Sequence, residues 1–136
     1  MTRDLALVLL AKLAASAAAL ALGFRAVSDD DFARVVLAQA WAEAPQLDPT
    51  GTSWLPAPFW LTGAALRLFG PTLDTARALA FALGLASAAL VYLAARWITE
   101  HHPAPRAPLL GALIAAVFPW SACLGVATVP ELPAAA

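Results

Sequence analysis

Four carboxylates stand where they could do chemistry: Asp29, Asp30 and Asp31 in one run, and Glu131 near the end of the chain. The run follows directly on an apolar stretch, Leu5 to Gly23. Ionisable groups at a hydrocarbon boundary are costly, and those found there are usually functional, paired, or both. A carboxylate within hydrogen-bond reach of a hydroxyl can take its proton as a general base. If the leaving group is a phosphate, nearby arginines or a divalent cation can stabilise the charge that develops. Arg34 and Arg77 are candidate contacts for such an anion; Trp54 and Trp60 are candidate interface anchors or stacking platforms for a substrate. Asp30 is the first choice for the base, being central and four residues from Arg34, so that the two share a helix face. The plainer reading makes the triplet a helix cap and solubilising turn, for which one carboxylate is enough.

The elements that must position these groups are membrane-like. Hydrophobic residues make up 62% of the 136 residues, charged residues 12%, and mean hydropathy is +0.76. A soluble domain carries about 25% charged residues. With a net charge of −1 and no basic run, nothing points to nucleic acid. The expected fold is all-α and polytopic, with about three membrane helices and two interfacial helices in the first outer loop. The spans are expected near residues 5–23, 73–98 and 109–129. The first covers roughly 28 Å, close to the hydrocarbon thickness. A cleavable signal peptide is its rival, which Lys12 in mid-run and the length of the run disfavour. Pro119 should kink the third span.

Short loops rich in cations stay in the cytoplasm. Arg3, Arg96 and Arg106 therefore place residues 25–71 and Glu131 outside, in a multi-pass protein of the cell (inner) membrane. Within the outer loop, Ser28 and Asp31 read as a capping-box-like start for a helix running to about Glu43. Pro45 to Ser53 is irregular. A short helix follows the Trp54–Trp60 segment and ends at Gly70-Pro71. His101 and His102 lack a third ligand, Cys123 reads as a small hydrophobe, and Lys12 should face a neighbouring helix or a polar pocket. No phosphate-cradling glycine loop or nucleophile elbow is present in the sequence.

In order along the chain come the acidic run, Trp54-Leu-Pro-Ala-Pro-Phe-Trp60, a Leu-Phe-Gly helix end, Ala76-Arg77 and Tyr92-Leu-Ala-Ala-Arg96. This order resembles the N-terminal region of the GT-C glycosyltransferases, nearest the family 39 protein mannosyltransferases and lipid A aminoarabinose transferases. The resemblance implies transfer of a sugar from a polyprenyl-phosphate donor to a protein, lipid or glycan hydroxyl on the extracytoplasmic side. It implies an acidic pair within Asp29–Asp31, inverting stereochemistry, and a second acidic position at Glu131, the candidate metal ligand; aspartate is more usual there in the aminoarabinose transferases. It also implies a chain forming the front part of a longer enzyme and inactive alone. The competing class is a non-catalytic membrane protein, a transporter or assembly subunit. A transporter would place ionisable groups at mid-bilayer between broken helices.

Overall fold

The computed structural model describes residues 2–51, 54–100 and 105–128, and the described residues are helical with no strand among them. The first helix, α1 (Thr2–Ala21), buries Val8, Lys12 and Ser16, one turn apart on a single face. Leu7, Leu10 and Leu13 point away from the rest of the chain. α2 (Asp30–Glu43) and α3 (Ala57–Phe69) form a hairpin at the end where α1 finishes. α4 (Leu73–Ile98) starts at that same end, where Thr72 caps it by accepting from the Thr75 N–H at 3.2 Å. It runs back until Arg96, Trp97 and Glu100 lie near Asp4, at the start of α1. α5 (Ala107–Val117) and α6 (Pro119–Leu124) return toward the hairpin.

Two of these helices, α1 and α4, are long and apolar enough to cross a membrane; α5 is apolar but has 11 residues. The interior among α1, α4 and α5 is built from Val8, Ala88, Tyr92, Ala112 and Ala116. Many of the large apolar side chains, such as Leu10, Leu90, Leu110 and Ile114, are on the outside. Small residues within and branched apolar residues without is the pattern of helices that pack closely in an apolar medium. The hairpin has its own core of Val35, Ala38, Phe59 and Leu66, closed by Ala76 from α4.

The single kinked helix expected over about 109–129 is instead two helices, α5 and α6. Pro119 brings no N–H and disfavours helical geometry in the residue before it. Phe118 accordingly takes ψ 129°, and Pro119 becomes the first residue of α6, where a missing N–H costs nothing. The second expected span matches α4, and both loop helices are present: α3 starts at its prolines, and α2 starts at Asp30 with Asp29, not Ser28, at its N-cap.

α2 and α3 approach closely at Gly63. A Cβ there would strike the Trp41 ring and sit 3.0 Å from the Ala38 carbonyl oxygen. Gly63→Ala should therefore pry the hairpin apart and cost about 1–3 kcal/mol. The measurement is a thermal melt followed by tryptophan fluorescence, and a midpoint equal to that of the parent chain would contradict this packing.

Candidate functional site

The acidic run straddles the start of α2, with Asp29 at the N-cap and Asp30 and Asp31 in the first turn, and its three members have different surroundings. Asp29 and Asp30 are exposed. Asp31 is 3% exposed, and donors surround it. Its Oδ2 accepts from the Val27 N–H at 2.9 Å and the Ser28 N–H at 3.2 Å. Its Oδ1 accepts from the Thr128 N–H at 2.8 Å. The Thr128 hydroxyl lies 2.8 Å from the Asp31 carbonyl oxygen and 3.2 Å from Oδ1, sharing one proton between them. The Ser28 bond is the returning half of a capping box, with the acid reaching back to the backbone N–H three residues earlier. The Asp29 side chain makes no capping bond.

Asp31 thus fastens the first loop to the chain just beyond α6, 97 residues away in sequence. It leaves Asp29 and Asp30 as the carboxylates open to a reactant. The Thr128 contact also carries the end of the described chain to the acidic turn. Glu131, His101 and His102 lie outside the described residues, as does the meeting of Glu131 with the triplet.

Arg34, one turn into α2, was expected beside Asp30; its guanidinium carbon sits 4.7 Å from the centroid of the Trp54 ring. Trp54 in turn stacks on Phe59, with centroids 6.0 Å apart. Planar cations favour this position over an aromatic face. Trp60 is partly exposed and donates its indole N–H to the Leu47 carbonyl at 3.1 Å. Trp41 does the same to the Gln46 carbonyl at 2.8 Å, so two indoles hold the irregular segment against the hairpin. In that segment the Asp48 carboxylate accepts from Thr50 and Gly51, and the Thr50 backbone bond, first among these, holds its carboxyl below the usual range. Arg77 donates to the Arg25 carbonyl at 3.0 Å, tying the start of α4 to the exit of α1. Arg25 itself turns back to the Leu20 and Phe24 carbonyls.

Among the described residues no three His, Cys, Asp or Glu side chains gather as metal ligands. Asp31, whose oxygens are engaged by N–H and O–H donors, offers no free edge to a cation.

A second polar cluster lies deep among the helices. Lys12 is 1% exposed and donates to the Ser121 carbonyl, with the Ser121 hydroxyl at 3.1 Å. Ser16 donates to the Ala122 carbonyl at 3.1 Å. The sequence places Ser16 four residues after Lys12, on the same face, which signals the stripe but not its partners on α6. Thr128 carried no signal of its own before the structure placed it on Asp31.

Compared with family models, curated proteins and solved structures, the chain matches none.

Proposed function

We propose that this chain belongs in the cell membrane as a multi-pass segment, with the acidic turn on the outer side. There it contributes the acceptor-activating loop of a glycosyltransferase that uses a polyprenyl-phosphate-linked sugar. The observation that carries the reading is the division of labour in the triplet. Asp31 is consumed in bracing the loop, while Asp29 and Asp30 are exposed on the braced turn, at the end of the bundle to which the chain returns at Thr128. The outward-facing leucines and isoleucines of α1, α4 and α5 support the membrane setting. In that setting α5 and α6 together make the third crossing.

In the proposed reaction Asp30 accepts the proton of an acceptor hydroxyl as its oxygen bonds to the anomeric carbon of the sugar. The anomeric carbon–oxygen bond to phosphate breaks, and its electron pair leaves on the lipid phosphate. Asp29 assists through a hydrogen bond. Arg34 and Arg77 stand at the same end of the bundle as candidate phosphate contacts; Trp60 is the more open ring for a sugar, and Trp54, stacked on Phe59, holds Arg34 over its face. Glu131 belongs to the same proposal as the second acidic position. The donor is a lipid-phosphate sugar, and the acceptor a protein, lipid or glycan hydroxyl.

The test is transfer of labelled sugar from polyprenyl-phosphate donors in membranes of cells expressing the natural gene, compared with the Asp30→Asn variant. Undiminished transfer by the variant removes Asp30 from the mechanism. A second reading, a transporter or assembly subunit, is favoured by one observation: Lys12 is buried beside the break between α5 and α6. Dependence of sugar transfer on Asp30 decides between the two.

A further inference from the structure

Between α4 and the α5–α6 pair runs a cleft of about 380 Å³, with Ser87 and Val91 on one wall, Gly111 and Ala115 on the other, and Lys12 and Ser121 lining it too. Gly111 is not required by packing among the described residues. A Cβ built on it meets nothing within 4 Å, although glycine in a helix interior costs about 1 kcal/mol relative to alanine. Gly111 and Ala115 lie one turn apart and exposed, the small-residue spacing that lets a second backbone come close. Lys12 adds a charge. Its ammonium is hydrogen-bonded to the neutral oxygens of Ser121, with the Cys123 thiol also within electrostatic reach. A cation at such depth calls for an anion.

We infer that this cleft receives an apolar membrane helix from outside these 136 residues, carrying a single Asp or Glu at the level of Lys12. Charge complementarity selects the carboxylate, and the Gly111–Ala115 spacing selects a helix over an acyl chain. Depth selects against a lipid headgroup, because Lys12 stands midway along α1, roughly 14 Å from either end. The inference rests on the bilayer setting proposed above, and is independent of sugar transfer.

The probe is a synthetic lysine-flanked Leu/Ala helix with one central Glu, co-reconstituted with the chain in phosphatidylcholine vesicles and followed by energy transfer between terminal dyes. The Glu helix should associate about tenfold more tightly than its Gln counterpart. Lys12→Met should erase that difference. Gly111→Leu, at a position with open space around it, should fill the cleft and abolish association while leaving helix content unchanged. Equal binding of the Glu and Gln helices overturns the inference, as does full association with Gly111→Leu. Labelling of the cleft by a photoreactive fatty acid that the Glu helix fails to displace assigns it to lipid instead and also overturns it. Vesicle flotation is read separately: a chain that does not float with the vesicles sinks both this inference and the membrane setting, whereas loss of the Glu preference in a floating chain sinks this inference alone.

Discussion

As the general base of the proposed reaction, Asp30 should be irreplaceable by its amide: Asp30→Asn is expected to lower sugar transfer by at least about a hundredfold, while leaving helix content unchanged and melting nearly so. Asp30 is exposed in the first turn of α2, so the amide costs the fold no more than about 0.3–1 kcal/mol of helix-dipole interaction. Asp31→Ala should do the opposite kind of damage. It strands the N–H groups of Val27, Ser28 and Thr128, each of which now donates to a carboxylate oxygen. Hydrogen bonds to a charged group contribute roughly 1.5–3 kcal/mol each, and losses within one network do not add fully, so a cost of about 3 kcal/mol or more is expected. The readouts separate the two residues. Hydrogen exchange at residues 27–32 and 128 should rise steeply for Asp31→Ala and stay at the parent level for Asp30→Asn. Asp31→Asn should fall between, since its amide nitrogen faces donors on one side while its oxygen still serves the other. Protection unchanged by Asp31→Ala would show that the contact with Thr128 does not hold the loop. Sugar transfer that fell with Asp31→Ala while exchange stayed at the parent level would make Asp31 a catalytic group.

The division among the three aspartates was partly legible. Asp31, Val35 and Ala38 fall at helical spacing on one face, and all three are buried. Reading that phase from the apolar residues of α2 back into the triplet points to Asp31 as the member that turns inward. What the phase does not supply is Thr128, because a contact across 97 residues follows from the path of three helices and not from any local pattern. The bounds of α4 were legible for the opposite reason. Thr72 caps its start, Arg96 suits the negative end of its dipole, and 26 helical residues lie between. The third apolar stretch shows the limit of a proline signal. Pro119 announces a disturbance, but whether the helix bends or stops depends on Phe118, and its extended backbone ends α5 one residue earlier. Lys12 was visibly out of place in an apolar run. Its partners became visible only when α6 ended beside it: the Ala122 carbonyl, in the last turn of a short helix, takes Ser16, and the Ser121 carbonyl takes Lys12 as a second donor beside the Gly125 N–H.

The pair of substitutions Gly84→Ala and Gly111→Ala should change stability in opposite directions, though both replace a glycine by the best helix former. At Gly84 a Cβ would lie 3.0 Å from the Gly125 Cα and 3.1 Å from its carbonyl oxygen. Those are backbone atoms, which cannot swing aside as a side-chain tip can, so α4 and the end of α6 must separate. Gly125 has no slack to absorb this, for a Cβ on it would stand 2.7 Å from Lys12 Nζ and 2.8 Å from Ser16 Oγ. Moving that segment therefore pulls Ser121 and Ala122 from the groups that bond them. Overpacking of this kind costs about 1–3 kcal/mol, more than the roughly 1 kcal/mol that alanine returns through helix propensity. At Gly111 the space is open and only the propensity gain applies. Unfolding in mixed micelles, followed by helix content, should thus find Gly84→Ala less stable and Gly111→Ala more stable than the parent. Equal stability of the two variants would mean that α4 and α6 do not meet at glycine, and the placement of Lys12 against Ser121 would fall with that contact.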